Sequence, residues 1–225
     1  MARKVYPIDQ GWFFKQADDV SFDFLPVAQF PTNVHLDLLH HGLIPDPYIG
    51  KNENTVQWVG EKSWLYRTTF QNPKLSTGKA VLAFDGLDTH ATIRLNGVTI
   101  LKTEDMFIPE RVNVTNSIST DDDKLNVLEI TFDSTYLIGK KLVEQYPDHY
   151  WGCWNGDPSR LAVRKAQYHY VIYPHRLLRT VATDYVRVGI GVLLCSLVAL
   201  GSQSLWRRIL LVYQTFPLPP TCANL

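Results

Sequence analysis

Ala91-Thr-Ile-Arg-Leu95, Asn96-Gly97 and Val98-Thr-Ile-Leu101 make up the stretch of sequence that decides the fold. Apolar and polar residues alternate before the Asn-Gly pair, which places Ala91, Ile93 and Leu95 on the inner face of a strand. Asn-Gly supplies the two positive φ values that a type I′ turn requires. The stretch therefore predicts a two-stranded β-hairpin with one buried face.

The sequence on both sides of the hairpin predicts further short strands. The segments concerned are Trp64 to Phe70 with Trp64, Tyr66, Thr68 and Phe70 on one face, the apolar run Ala80-Val-Leu-Ala-Phe84, and Leu125 to Phe132 with Leu128, Ile130 and Phe132 on one face. A short helix is predicted from Ser134 to Glu144, with Ser134 as its cap. Short strands, regular turns and no long amphipathic helix before residue 136 predict an all-β antiparallel sandwich.

Length and charge restrict the class of protein. A chain of 225 residues is long enough for one sandwich domain with an appendage, whereas a (β/α)8 barrel alone takes roughly 250 residues. Lys and Arg together number 22, as do Asp and Glu, and no dense basic stripe occurs. The balance gives no electrostatic footprint for nucleic acid but is compatible with a neutral sugar.

The cysteines and the first residues predict a cytoplasmic location. Cys153, Cys195 and Cys222 form no CxxC motif and leave one thiol unpaired under any disulfide scheme. The opening residues lack the apolar core of a signal peptide. Without a secretory signal, Asn113-Val-Thr115 is interpreted as a polar turn rather than as a glycosylation site.

Several longer motifs resemble one enzyme family. They are Gly42-Leu-Ile-Pro-Asp-Pro-Tyr-Ile-Gly-Lys-Asn-Glu-Asn-Thr-Val-Gln-Trp-Val59, Trp64-Leu-Tyr-Arg67, Leu95-Asn-Gly97, Asp105-Met-Phe107 and Asn155-Gly-Asp-Pro-Ser-Arg-Leu-Ala-Val-Arg-Lys-Ala-Gln-Tyr-His-Tyr170. Together they make residues 1–170 similar to the N-terminal domain of β-mannosidases in glycoside hydrolase family 2. The resemblance implies a jelly-roll sandwich like galactose-binding domains.

The same resemblance implies what a complete enzyme of this family does. It would remove terminal, non-reducing β-D-mannose with retention of configuration and without a cofactor, using two glutamates on a barrel domain that these 225 residues do not include. The expected partners are therefore a β-mannoside and the missing catalytic barrel, with no nucleic acid and no membrane. By itself the chain is expected to be an inactive fragment.

One group of residues is expected to line the substrate pocket or to face the barrel. Aromatic rings stack on the apolar face of a pyranose, and nearby polar side chains bind its hydroxyls. The same aromatics could instead pack in an interface between domains, and the sequence leaves both roles open. The group consists of Trp151, Trp154, Asn155, Asp157, Arg164, Tyr168, His169 and Tyr170.

Other residues that suggest chemistry are better explained structurally. Glu53, in an Asn-Glu pair, is expected to lie in a solvated loop or an interdomain contact rather than to act in catalysis. His40-His41 are adjacent, so their side chains cannot form an i, i+4 chelate, and Asp121-Asp-Asp123 lacks the glycine and glutamate of a calcium loop. No metal site is predicted. Trp12, Trp58 and Trp64 are expected in the core.

The sequence changes character after Tyr170. The family would continue with Gly-Trp-Asp-Trp-Gly-Pro, but this chain reads Val171-Ile-Tyr-Pro174. Residues 171–225 are therefore interpreted as an aberrant apolar tail outside the domain, helical in part or disordered, of the kind that a missed splice or a frameshift produces. Residues 188–206 are uncharged and just long enough to be a weak candidate for a membrane span, although Gly201-Ser-Gln-Ser204 is polar.

Two other functions are compatible with parts of the sequence. A stand-alone carbohydrate-binding or interaction module could reuse the sandwich without catalysis. A different family 2 specificity, such as β-galactosidase or β-glucuronidase, is disfavoured because Ile44-Pro-Asp-Pro-Tyr48 and Arg164-Lys-Ala-Gln-Tyr-His-Tyr170 follow the mannosidase pattern.

Overall fold

Two antiparallel sheets form the body of the protein in a computed structural model. The structure describes residues 3–72, 78–119, 121, 123–151, 157–160 and 209–214. The strands in these ranges are β1 Arg3–Pro7, β2 Phe13–Gln16, β3 Leu25–Pro26, β4 Trp64–Phe70, β5 Lys79–Phe84, β6 Ala91–Leu95, β7 Val98–Thr103, β8 Glu110–Asn113, β9 Asn126–Phe132 and β10 Ile209–Gln214. The helices are α1 Val34–His40, α2 Asn52–Thr55 and α3 Thr135–Gln145, with two 3₁₀ helices at Gln57–Glu61 and Pro158–Arg160.

The two sheets differ in size. One has the strand order β1-β10-β5-β8 and the other the order β3-β2-β4-β9-β6-β7. Alternate residues of β4, β6 and β9 are buried, while the residues between them are intermediate or exposed. Among the side chains in the core, Trp64, Tyr66, Ile93 and Ile130 are almost inaccessible to solvent. The predicted antiparallel sandwich and the faces assigned to its central strands are confirmed.

The Asn96-Gly97 turn has the predicted geometry. Asn96 has a φ of 53° and Gly97 a φ of 81°, and Leu95 pairs directly with Val98 across a two-residue loop. Asn96 also secures the turn with its side chain: Oδ1 accepts from the Val127 backbone N–H at 2.9 Å, and Nδ2 donates to the Ser117 carbonyl at 2.8 Å. The hairpin is thereby tied to β9 and to the loop that follows β8.

Helix α3 begins and ends within one residue of the prediction. The Ser134 hydroxyl accepts from the Leu137 backbone N–H at 3.1 Å and donates to the Gly60 carbonyl at 2.6 Å. One hydroxyl thus caps the helix and attaches it to the first 3₁₀ helix. A Cβ atom on Gly139 would lie 1.8 Å from the Ser159 carbonyl oxygen, so α3 and the second 3₁₀ helix approach each other through a glycine.

Strand β10 is the part of residues 171–225 that the structure describes. It pairs with β1 on one side and with β5 on the other, so it is an internal strand of the four-stranded sheet. Ile209-Leu-Leu-Val-Tyr-Gln214 is a short, largely apolar run, which suits a strand with neighbours on both edges. The domain boundary at residue 170 stays a prediction for the rest of the tail.

Candidate functional site

The strand register places several loops at one end of the sandwich, which we call the α3 end. Here β4 and β6 begin and β9 stops, since Phe132 pairs with both Trp64 and Ala91. The loop 85–90 joins β5 to β6 at this end, and the loop 104–109 joins β7 to β8 there, because Thr103 pairs with Ala91 and Glu110 pairs with Phe84. The first 3₁₀ helix and the start of α3 complete this end. The Asn96-Gly97 turn lies at the opposite end.

The segment that leads into the α3 end is held in one conformation by its own hydrogen bonds. Asn52 Nδ2 donates to the Asp46 carbonyl at 2.8 Å, and Gln57 Nε2 donates to the Glu53 carbonyl at 2.8 Å. Val56 and Val59 are fully buried and anchor the segment in the core. Residues 46–59, which carry most of the longest family-like motif, therefore form a segment of turns, α2 and the start of the first 3₁₀ helix.

Large apolar side chains project into solvent from the α3 end. Trp58 of the first 3₁₀ helix is 38% exposed, Phe107 of the loop 104–109 is 64% exposed, and Leu137 in the first turn of α3 is 40% exposed. Ile108 and, on the preceding segment, Tyr48 and Ile49 are also exposed. We call Trp58, Phe107, Ile108 and Leu137 the apolar surface of the α3 end.

Trp58 corrects one prediction. Trp12 and Trp64 are buried as expected, whereas Trp58 is not a core residue. Its ring centroid lies 6.3 Å from that of Trp64, so one side of the indole covers the core and the other faces solvent. The 3₁₀ helix turns the chain between buried Val59 and exposed Trp58, and no strand alternation signals this in the sequence.

Buried polar groups underlie the α3 end. The loop 85–90 contains a cis peptide bond between Asp88 and Thr89. Its backbone is tied to neighbouring strands, because the Thr103 hydroxyl donates to the Thr89 carbonyl at 2.8 Å and the Asp133 backbone N–H donates to the His90 carbonyl at 2.9 Å. The side chains of Asp88 and Thr89 are almost inaccessible to solvent. This loop is therefore an ordered part of the scaffold.

Two of the eight predicted site residues lie in the described part of the chain. Trp151 packs edge-on against His149 with ring centroids 4.4 Å apart, and its buried indole N–H has no hydrogen-bond partner among the described residues. Asp157 accepts from the Ser159 backbone N–H at 3.1 Å, at the start of the 3₁₀ helix that packs on α3. The other six lie outside the described residues: Trp154, Asn155, Arg164, Tyr168, His169 and Tyr170.

Asp37 is a buried carboxylate with a raised pKa. It is fully buried on α1, where the Thr32 hydroxyl donates to Oδ1 at 2.8 Å and the Tyr66 hydroxyl donates to Oδ2 at 2.9 Å. Burial raises the pKa of Asp37 to about 6, although the two hydroxyls and the nearby His41 favour its charged form. The cluster joins α1 to β4 inside the core, away from any open surface, and has a structural role.

The remaining candidates for chemistry have local roles. Glu53 lies on α2, where its backbone carbonyl accepts from Gln57. His41 Nε2 lies 2.7 Å from the Pro26 carbonyl oxygen, so this ring is engaged with the backbone. In the described ranges, no three His, Cys, Asp or Glu side chains are grouped so as to hold a metal ion. Asn113 forms the predicted polar turn, since its Oδ1 accepts from the Thr115 backbone N–H at 3.1 Å.

An ion pair lies on the outer face of the six-stranded sheet, between β4 and β9. Arg67 donates twice to Glu129 Oε1, at 2.9 and 2.7 Å, and its guanidinium lies 4.2 Å from the Phe24 ring centroid. The Phe24 ring on this face is thus covered by an arginine, whereas Phe13, which pairs with Arg67 on the same face, is 43% exposed.

The comparisons with known proteins place this geometry in a family. The model of the glycosyl hydrolase 2 galactose-binding domain-like family matches residues 12–172. The chain belongs to this family. Residues 12–172 include the whole α3 end, from Trp58 to the second 3₁₀ helix.

Curated relatives have the family's enzymatic name. The chain is 64% identical over 169 residues to "Beta-mannosidase B" of Thermothelomyces thermophilus, and the aligned region covers 75% of this chain and 19% of the relative. It is 48% identical over 167 residues to "Beta-mannosidase B" of Neosartorya fischeri, covering 73% of this chain and 20% of that relative. The chain therefore spans about a fifth of the length of these relatives and matches their N-terminal portion.

A solved structure agrees with the fold. The crystal structure of the β-D-mannosidase from Dictyoglomus thermophilum is 31% identical in sequence and superposes with a TM-score of 0.68, covering 92% of this chain and 22% of that one. The resemblance to family 2 β-mannosidases predicted from the motifs is thus confirmed. As for the membrane-span candidate, 188–206 lies outside the described residues; within those that are described, no helix is long and apolar enough to cross a bilayer.

Sequence reasoning missed the surface that the loops form together. Phe107 was recognised as part of a family-like motif, but its 64% exposure beside Ile108 was not predicted. The sequence gives Leu137 no role beyond a position in the predicted helix, and Trp58 is expected in the core. The available signal was the helical period of α3, which places Leu137 away from buried Thr135 and Gly139.

Proposed function

We propose that residues 12–172 serve as the N-terminal, non-catalytic sandwich of a β-mannosidase, an enzyme that hydrolyses terminal, non-reducing β-D-mannose with retention of configuration. The single observation that carries this proposal is the 64% identity to a protein named "Beta-mannosidase B" over 169 residues. The glycoside and the missing catalytic domain are the partners that follow. Nucleic acid and membranes are excluded from the proposal, and the odd number of cysteines favours a cytoplasmic location.

In this proposal the chain supports and positions the catalytic domain and takes no part in the chemistry. A retaining glycosidase needs two carboxylates about 5–5.5 Å apart, one as nucleophile and one as acid and base. Asp37 has the pKa that an acid would need, but it is enclosed by Thr32 and Tyr66 in the core and cannot reach a sugar. Glu53 is on a four-residue helix stabilised by local backbone contacts. The chemistry is accordingly assigned to glutamates of the catalytic domain.

The predicted site residues belong to the same proposal. Trp151 and Asp157 lie in the connection between α3 and the second 3₁₀ helix, and the family match continues through Arg164, Tyr168, His169 and Tyr170. We assign this stretch to the side of the domain that faces the barrel or the substrate pocket.

A turnover assay combined with a binding titration tests this function. The purified chain should release no nitrophenol from 4-nitrophenyl β-D-mannoside above a control without protein, and calorimetric titration with β-1,4-mannobiose should give no heat of binding. Turnover that is lost in Glu53→Gln would overturn the assignment of catalysis to another domain. Saturable binding of mannobiose by the chain alone would favour the stand-alone carbohydrate-binding module.

A further inference from the structure

We propose that the apolar surface of the α3 end, formed by Trp58, Phe107, Ile108 and Leu137, is the docking surface for the catalytic domain that follows the matched region in the β-mannosidase relatives. The inference rests on the proposed function and adds to it the surface through which the two domains hold each other.

The distribution of exposed apolar residues is the first argument. Trp58, Phe107 and Leu137 come from three separate segments that the strand register brings to one end. Val98 and Leu125 are exposed at the opposite end, and Val5 of β1 and Phe13 of β2 are exposed on strands between the two ends. Large exposed apolar side chains gathered on one part of a soluble domain mark an interaction site, because water contact is unfavourable for them and aromatic residues are enriched at interfaces.

The rigidity of this end is the second argument. Trp58 is carried by a 3₁₀ helix that buried Val59 anchors, and Leu137 stands in a helical turn that the Ser134 hydroxyl caps. The same hydroxyl joins the two elements through the Gly60 carbonyl. A surface whose side chains are already positioned loses little conformational freedom when a partner binds.

The path of the chain indicates that the partner of this surface is the catalytic domain. The second 3₁₀ helix packs on α3, and α3 packs on the first 3₁₀ helix at the α3 end. The family match then runs on to residue 172, and the matched relatives are about five times as long as the part they share with this chain. A domain that follows this region is therefore tethered close to the apolar surface, which favours it over a separate protein through its high effective concentration.

A chimera tests the docking. Residues 1–170 of this chain replace the matched N-terminal portion of the Thermothelomyces thermophilus relative, which gives a protein we call the mannosidase chimera. The relative's own sequence after the junction is retained, so that it can provide the strand that β10 provides here between β1 and β5. Phe107→Asp and Trp58→Ser are introduced both into the mannosidase chimera and into the isolated chain. Val98→Asp is the matched control, because Val98 is 63% exposed and Phe107 64%, yet they lie at opposite ends of the sandwich.

Thermal unfolding gives the first readout. In the isolated chain Phe107→Asp and Val98→Asp should leave the melting temperature almost unchanged, since exposed positions tolerate such changes. Trp58→Ser should lower it there as well, because the indole packs against Trp64, so the effect of docking is the fall in the chimera beyond the fall in the isolated chain. In the mannosidase chimera, Phe107→Asp and Trp58→Ser should lower the melting temperature of the sandwich by about 4–8 °C, as the loss of a buried interface residue would, while Val98→Asp should not. Equal effects of Phe107→Asp and Val98→Asp in the chimera would overturn the proposal.

Hydroxyl-radical footprinting gives a second readout that needs no substitution. Trp58 and Phe107 should be oxidised several-fold more slowly in the mannosidase chimera than in the isolated chain. Unchanged oxidation would refute the docking, whether or not the chimera cleaves a mannoside. Turnover of 4-nitrophenyl β-D-mannoside by the same protein reports separately on the proposed function. Sedimentation of the isolated chain as a dimer that Phe107→Asp dissociates would assign the surface to self-association and would also overturn the proposal.

Discussion

Substitution of Gly97 by valine tests whether the Asn96-Gly97 turn is a structural element or a contact to sugar. Gly97 has a φ of 81°, a conformation that a β-branched residue rarely adopts. A Cβ atom at this position would meet nothing within 4 Å, so the cost comes from the backbone alone and not from a collision. Strain of this type costs roughly 1–3 kcal/mol.

The turn has little freedom to relax and relieve that strain. The Asn96 side chain holds it through bonds to Val127, Ser117 and Asn126 at 2.8 to 2.9 Å. A shift in φ at residue 97 would disturb these contacts, so the strain should remain. For a domain of this size, about 2 kcal/mol corresponds to a fall in melting temperature of about 4–8 °C.

Circular dichroism during heating is a suitable assay, with Gly97→Asn as the matched control. Asparagine tolerates positive φ better than other residues with a side chain, so Gly97→Asn should lose much less stability than Gly97→Val. Since the turn lies at the end opposite the α3 end, neither variant should change mannoside turnover in the mannosidase chimera. A Gly97→Val variant that kept its melting temperature, or lost affinity for mannoside while remaining folded, would refute the structural role.

Two further predictions concern the buried contacts of the helices. Burial raises the pKa of Asp37 from 3.8 to about 6, so protonation of Asp37 should contribute roughly 3 kcal/mol to the free energy of unfolding. This contribution should be fully present below pH 3.8 and should be lost as the pH rises through 6. Urea unfolding at several pH values checks this against Asp37→Asn, and an identical pH dependence in both proteins would contradict it. Gly139→Ala should separate the second 3₁₀ helix from α3, because the new methyl group would collide with the Ser159 carbonyl. Hydrogen exchange of the Ser159 amide should therefore be faster in Gly139→Ala but not in the control Lys140→Ala. Equal protection of this amide in the two variants would argue against the packing.

Elements with local chemical signals could be predicted from the sequence. The Asn96-Gly97 hairpin, the Ser134 cap and the alternation in β9 each depend on residues within one turn or strand, and each appears in the structure within a residue or two of its predicted limits. Local rules of this kind apply wherever the fold does not override them.

Elements that depend on partners distant in the sequence could not be predicted from local sequence patterns. Strand β10 exists through its pairing with β1 and β5, which lie well over a hundred residues earlier in the chain. Short strands such as β1 carry no alternation long enough to be recognised.

The candidate site was predictable only in part for a related reason. Strand register decides which of the exposed apolar residues lie at the same end of the sandwich. The register between β6, β7 and β9 can be known only when their pairing is known. Trp58 shows the consequence: its residue type favours the core, while its position in a 3₁₀ helix at the α3 end places it in solvent.

Turnover by the mannosidase chimera tests the central claim most directly, namely that this chain is the sandwich domain of a β-mannosidase. We expect residues 1–170 to replace the matched portion of the relative, so that the chimera cleaves 4-nitrophenyl β-D-mannoside with a kcat/KM comparable to that of the parent enzyme and leaves the corresponding β-galactoside and β-glucuronide intact. The isolated chain should cleave none of the three. A folded chimera that lacks β-mannosidase activity, or that prefers one of the other two glycosides, would contradict the claim.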